Sequence, residues 1–268
     1  MIPKFAIDQW NSLVPWTDRH KVEQDLLICR ALVAIYSDEY LAHHLAFRGG
    51  TALHKLYLHP QPRYSEDIDL VQVEAGPIKE TYDRIREVLA FLGEPKVKQK
   101  KHNNTLIFRL DSDGVPSLPL HLKVEINCKE HFSVLPMVRI PFKVDSMWFS
   151  GEAEILTYQL DELVGTKLRA LYQRLKGRDL YDLYVALTKG KVDDEKVIEC
   201  YKRYMGFVVE HLPTWKEFML NMDEKMQNTE FIGDVSQLLR VGDNFDPVIG
   251  YALVKERLID RLEGDRWK

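Results

Sequence analysis

A chain of 268 residues that is 45% hydrophobic and 29% charged has the balance of a folded globular protein, long enough for one large domain or two smaller ones. Its apolar runs are short, as in Ala31-Leu32-Val33-Ala34-Ile35-Tyr36, so no membrane span is expected, and Met1-Ile2-Pro3-Lys4-Phe5 lacks the pattern of a secretory leader. A net charge of −4 argues against indiscriminate nucleic-acid binding, and Cys29, Cys128 and Cys200 form no CxxC pair, which fits reduced, buried thiols in a cytoplasmic protein.

In chain order, residues 18–45 read as one long amphipathic helix beginning at Thr17 or Asp18. Leu45-Ala46-Phe47-Arg48 suits a strand that ends at Gly49-Gly50. Thr51 to Leu58 reads as a helix stopped by Pro60, Asp67 to Val73 as a strand, and Ile78 to Leu92 as a helix closed by Gly93. Two runs, Thr105 to Leu110 and Leu120 to Ile126, flank Asp111-Ser112-Asp113-Gly114 and two prolines, the signature of paired antiparallel strands. Pro136, Pro141 and Gly151 punctuate a looser stretch. From about Leu160 the pattern is helical, with breaks near Gly190, Pro213, Gly233 and Pro247. The expected fold class is therefore α+β: a mixed sheet with flanking helices over 1–155, then a helical domain over 156–268.

The chemistry concentrates in a few places. Gly49-Gly50-Thr51 combines glycines that allow close backbone approach with a helix whose free N–H groups would face an anion. Asp67 and Asp69, separated by Ile68, project from one face of a strand, and two such carboxylates repel unless a cation neutralises them. A phosphate cradle followed by a paired-carboxylate metal site points to phosphoryl or nucleotidyl transfer. Glu125, between Val124 and Ile126, is a third acid. It would join the two aspartates in holding Mg²⁺ if the strands are neighbours; alternatively it lies on the solvent face of an edge strand, opposite His121 and Lys123.

Lys96, Lys98, Lys100 and Lys101 crowd one short stretch, either as a solvated face or as a contact for a polyanion. Further on, Lys167, Arg174 and Arg178 would fall within roughly 20° of one another on an unbroken helix, with Asp182 about 60° away. Gly177 is a candidate break. With only Asp179 and Asp182 in the stretch, these cations cannot all pair internally, so triphosphate binding stands beside a surface basic helix as a reading. His43, His44, His54 and His59 lack metal-ligand spacing and read as structural. Ser65-Glu66 forms a turn and helper position before Asp67, and phosphorylation of Ser65, or of nearby Thr51, would repel a nucleotide there.

Phe47-Arg48-Gly49-Gly50-Thr51-Ala52-Leu53-His54-Lys55 and Arg63-Tyr64-Ser65-Glu66-Asp67-Ile68-Asp69-Leu70 resemble the AbiEii-type (MenT-like) nucleotidyltransferase toxins. These belong to the polymerase-β-like nucleotidyltransferase superfamily and to type IV toxin–antitoxin and abortive-infection systems. The likeness continues in Val124-Glu125-Ile126-Asn127, in Lys167-Leu168-Arg169-Ala170 with Arg174, and in Arg178-Asp179-Leu180-Tyr181-Asp182-Leu183-Tyr184.

The resemblance implies a nucleotidyltransferase-like sheet domain and a helical domain completing the NTP site. It implies Asp67, Asp69, Lys167 and Asp182 as catalytic residues, and Asp67, Asp69 and Glu125 as ligands of one or two Mg²⁺ ions. Gly49, Gly50, Thr51, Ser65, Lys167, Arg174 and Arg178 would contact the nucleotide. The implied reaction moves a nucleoside monophosphate from an NTP to an acceptor hydroxyl, foremost a tRNA 3′ end, blocking translation in a setting of phage defence. The implied partners are NTP, tRNA and a cognate antitoxin, with no membrane. Transfer to a protein or small molecule, and a non-catalytic nucleotide- or RNA-binding module, are the alternatives.

Overall fold

The structure, a computed structural model, describes residues 2–100, 102–112 and 119–264. Expectations resting on Met1, Lys101, Asp113, Gly114 and Pro116 lie outside the described residues. The chain divides into two compact units: residues 1–133 with 137–158, and residues 134–136 with 159–268.

The first unit contains, in order, α1 (Lys4–Asn11), α2 (Arg19–Ser37), α3 (Glu39–His44), β1 (Leu45–Arg48), α4 (Gly49–Ala52), β2 (Asp67–Gln72), α5 (Lys79–Val88), β3 (Lys96–Lys100), β4 (Asn103–Asp111), β5 (Pro119–Asn127), β6 (Val138–Asp145) and β7 (Ser150–Thr157). The strands form one mixed sheet in the order β3-β4-β5-β2-β1-β7-β6. The helix expected over 18–45 is two helices. Asp38 adopts an extended backbone (ψ 122°) and its carboxylate accepts the Leu41 N–H at 2.8 Å, which ends α2 and starts α3. The stretch read as loose is the β6–β7 hairpin, and β6 is an edge strand, where Pro141 costs no interior hydrogen bond. Two elements were not anticipated: α1, and the edge strand β3 made of the lysine cluster.

Alternation builds the core of this unit. Ile68 and Leu70 of β2 and Leu122, Val124 and Ile126 of β5 are all at most 1% exposed, and α2 packs on the sheet. A buried ion pair ties α2 to the single π-helical turn Leu53–Tyr57 that continues α4: Lys55 Nζ lies 2.8 Å from Asp25 Oδ2. Trp10, Trp16 and Gln61 also donate to the Asp25 carboxylate, so the buried charge is fully hydrogen-bonded.

The second unit is helical: α6 (Leu160–Gln173), α7 (Gly177–Lys189), α8 (Asp194–Gly206), α9 (Trp215–Met226), α10 (Thr229–Gly233) and α11 (Pro247–Arg257). The expected breaks fall between these helices or at their ends. Leu168, Leu171, Leu180, Leu183, Tyr201 and Phe218 lie at its core. Residues 134–136 join it because the Glu162 carboxylate accepts the Val134 and Leu135 N–H groups at 2.8 and 2.9 Å.

Candidate active site

Register decides what meets on the sheet. β1 and β2 run antiparallel with Arg48 opposite Asp69, and β2 and β5 run parallel with Asp67 opposite Lys123 and Asp69 opposite Glu125. Residues in register share a face, so Arg48, Asp67, Asp69, Lys123 and Glu125 project together while their alternate neighbours fill the core. Because β5 is flanked by β4 and β2, Glu125 is not on an edge strand, and Lys123 shares its face instead of opposing it.

The turn before β2 is built around these acids. Gly49 has φ +82°, and a Cβ there would lie 2.2 Å from Asp69 Oδ2, so the backbone approaches the carboxylate as only glycine allows. Thr51, 1% exposed, donates its hydroxyl to the Asp67 carbonyl at 2.6 Å and shares a hydrogen bond with Ser65 Oγ at 2.8 Å. The Thr51 hydroxyl is thus committed to holding β2 in place.

Burial, reinforced by the Asp69 carboxylate and by Glu66 and Glu125, pushes the Asp67 carboxyl up to about 6, with Lys123 opposing the shift. The Lys123 ammonium stands 2.5 Å from Glu125 Oε1 and 3.7 Å from Asp67 Oδ2. On the other side Arg48 pairs with Glu130. Burial works against the Arg48 charge, but Glu130 and, more weakly, Asp69 hold its pKa above the ordinary value. Arg48 and Lys123 are the site residues that the sequence reading passed over. Lys123 was signalled by its position two residues from Glu125 on a strand; Arg48 gave no signal before the register was known.

Asp67 and Asp69 fit a hard divalent cation: two carboxylates on one face, one of them holding its proton unusually well because it is buried and lies beside the other. Glu125 is brought to the same face but is engaged by Lys123. Among the described residues no group of three His, Cys, Asp or Glu side chains is placed to hold an ion as it stands.

The second unit carries the other cluster, and here the structure corrects the single-helix geometry. The chain turns between Gln173 and Gly177, so α6 and α7 fold back on one another. Lys167 Nζ lies 2.7 Å from Asp182 Oδ2 and 3.3 Å from Asp179 Oδ1, and both aspartates are fully buried. Arg174 closes on Asp179 through Nη2 and Nε at 2.6–3.0 Å. Arg178 is placed elsewhere, with its Nε 3.5 Å from Asp234, whose carboxylate also accepts the Arg178 N–H. All three cations are paired, but as expected not all within the stretch: the partner of Arg178 is Asp234, from beyond it. Gly177 begins α7 instead of breaking a helix; a Cβ there would sit 1.9 Å from the Phe231 carbonyl oxygen.

His43 and His44 bond the Glu39 and Tyr40 carbonyls of their own helix, and His54 is fully buried. Cys29 and Cys200 are buried, and Cys128 is half-buried, so the expectation of three buried thiols holds for two. No described helix is long and apolar enough to cross a membrane.

A family model described as "Nucleotidyl transferase AbiEii toxin, Type IV TA system" matches residues 30–249. A comparison with curated proteins gives no match. Among solved structures, the nucleotidyltransferase toxin MenT4 of Mycobacterium tuberculosis H37Rv is similar at a TM-score of 0.58 and 17% identity, over 91% of this chain and 85% of that one. JHP933 from Helicobacter pylori is similar at a TM-score of 0.55 and 14% identity, over 91% of this chain and 94% of that one. At such identities the likeness is one of fold. The match over residues 30–249 spans both units, and the chain belongs to the AbiEii family of nucleotidyltransferase toxins of type IV toxin–antitoxin systems.

Proposed function

We propose that this enzyme transfers a nucleoside monophosphate from an NTP to the 3′-terminal hydroxyl of an RNA, foremost a tRNA, and thereby blocks translation. The observation that carries the reading is the Asp67–Asp69 pair, held against Gly49 and in register with Lys123 and Glu125. In the reaction the acceptor oxygen forms a bond to the α-phosphorus, the bond from that phosphorus to the bridging oxygen breaks, pyrophosphate leaves, and the hydroxyl proton passes to solvent.

Asp67 and Asp69 would hold Mg²⁺, with Glu125 joining them if Lys123 releases it. An Mg²⁺ ion bound there would supply the positive charge that polarises the phosphates. Because the Thr51 hydroxyl is spent on Asp67 and Ser65, phosphate contact from Gly49-Gly50-Thr51 falls to backbone N–H groups. Lys167, held by Asp179 and Asp182, is the preorganised cation we assign to the triphosphate, with Arg174 in support. Asp182 then orients Lys167. Arg178, engaged by Asp234, is the weakest of the assigned nucleotide contacts. A cognate antitoxin and a cytoplasmic setting follow from the same reading.

The test is incubation with each α-labelled NTP, Mg²⁺ and deacylated tRNA. Label enters the RNA with wild-type enzyme and not with Asp69→Asn. Label found only on protein or a small molecule would move the acceptor class. No label from any NTP would remove the transfer reaction.

A further inference from the structure

We propose that the exposed face of β3, β4 and β5 is the track on which the acceptor's phosphodiester chain lies as its end reaches Asp67 and Asp69. This rests on the reading of RNA as acceptor and adds where, and by what contacts, the RNA is held. The argument begins with register. Across four strands, Lys96 lies beside Ile107, Lys123 and Asp67 in one row, and Lys98 beside Thr105, Glu125 and Asp69 in the next. Lys100 pairs with Asn103 on one side of these rows, and Arg109 with His121 on the other. In-register residues share a face, so these cations project on the side that bears the carboxylates. From β3 to β2 the rows cross three interstrand steps of about 4.8 Å each, about 14 Å in all.

The charges on this face are uncompensated. Lys96, Lys98, Lys100 and Arg109 are exposed and form no ion pair with any described residue, whereas Lys123, Lys167 and Arg174 are each held by acids. Within the rows the acids stand on β5 and β2, as Glu125, Asp67 and Asp69, and Asp111 lies beyond Arg109 on β4. A chain of phosphates would therefore be attracted along the lysines and would meet the carboxylates of the rows where a divalent cation is assigned.

A second observation points to the same end. A cavity of about 420 Å³ opens beside Asp67, where His20, Arg109, His121 and Lys123 stand with one further acid, Glu66. Its size suits the terminal nucleotide of the acceptor chain.

The rows contain no Phe, Tyr or Trp, so this face offers charge and little stacking. It would hold the sugar–phosphate chain with small regard to base sequence. Lysines on an edge strand also discourage edge-to-edge pairing, which accounts for β3 alone. That purpose does not explain Arg109 and His121 on interior strands, nor the cavity at Asp67.

The test uses the full-length protein and the triple variant Lys96→Gln/Lys98→Gln/Arg109→Gln, whose exposed side chains leave the core untouched. Binding of fluorescent deacylated tRNA, and of a single-stranded RNA matching its 3′ end, is followed by anisotropy across a salt series. The variant should bind both RNAs at least roughly tenfold more weakly, with a log–log salt slope shallower by about 2, the value for three lost phosphate contacts on a single strand. KM for RNA should rise by a larger factor than kcat falls, and NTP affinity should stay put. Lys96→Arg/Lys98→Arg should bind as wild type. Unchanged affinity and slope in a variant that melts like wild type would overturn the track while leaving RNA as acceptor. Wild-type enzyme that neither binds nor labels RNA would overturn both. A variant that keeps RNA but loses an acidic protein partner would assign the face to that partner and overturn the proposal.

Discussion

Gly49 and Asp69 are in such close approach that a Cβ on the glycine would lie 2.2 Å from the carboxylate Oδ2. The glycine is also at φ +82°, so alanine meets two obstacles at once. The backbone conformation alone costs a non-glycine residue about 1–2 kcal/mol, and Asp69 must then swing off the face it shares with Asp67. Gly49→Ala is expected to lower unfolding free energy by at least this amount. Nucleotidyl transfer should fall by about 100-fold, as expected when a catalytic group is misplaced by an ångström. Urea melts and initial rates measure the two effects; unchanged values of both would show that the turn tolerates a side chain.

Asp67 gives the folded protein a distinct pH dependence. Its carboxyl is raised from an ordinary 3.8 to about 6, first by burial and then by Asp69. Between those values the native state binds more protons than the unfolded chain, so the contribution of this residue to stability falls as pH rises. Asp67→Asn removes the titration. In metal-free buffer the variant should lose the downward component between 3.8 and about 6 and gain stability relative to wild type above it. Chemical denaturation at several pH values is the measurement. A wild-type-minus-variant difference that is flat across that interval would contradict the shift.

The acids on β2 were legible because a strand's alternation is a property of neighbouring residues, and Asp67-Ile68-Asp69 carries it whole. Glu125 was legible as a buried-strand acid, but its row was not, since register between β2 and β5 depends on pairing across more than fifty residues. For the same reason Arg48 was missed although it sits directly opposite Asp69. In the helical unit the error was of another kind. The periodicity of Lys167, Arg174 and Arg178 is real, but the chain turns at 174–176, and the partner of Arg178 is Asp234, which no local count includes. The β6–β7 hairpin was hidden by Pro141, which marks a loop in a sequence but is accepted on an edge strand.

Lys167 and Asp182 form a buried pair whose members should be coupled in stability. Removing one partner of a buried ion pair costs about 3–5 kcal/mol because the other charge is left uncompensated. Lys167→Met removes the ammonium 2.7 Å from Asp182 Oδ2, while Asp179 retains Arg174, so the lower end of that range is expected. Adding Asp182→Asn should recover part of the loss. A double-mutant cycle in urea would then show clear non-additivity. Additive changes would mean the two side chains do not sense each other, and the clamp assigned to Lys167 would lack its anchor.

Lys123 stands where a divalent cation must compete with it. Its ammonium already contacts Glu125 at 2.5 Å and approaches Asp67 at 3.7 Å, so in metal-free protein it is the counter-ion of the acidic face. Lys123→Met leaves those carboxylates beside Asp69 with less positive charge nearby. The metal-free variant should therefore melt below wild type at neutral pH. Added Mg²⁺ meets no rival ammonium in the variant and binds more tightly there. Since stabilisation by a ligand grows as the logarithm of concentration over Kd, the rise in Tm at fixed Mg²⁺ should be larger for Lys123→Met than for wild type. Lys123→Arg, which keeps a cation, should show the smaller rise. Equal shifts in all three proteins would mean that the cation does not share oxygens with Lys123, and would separate Glu125 from the metal ligands.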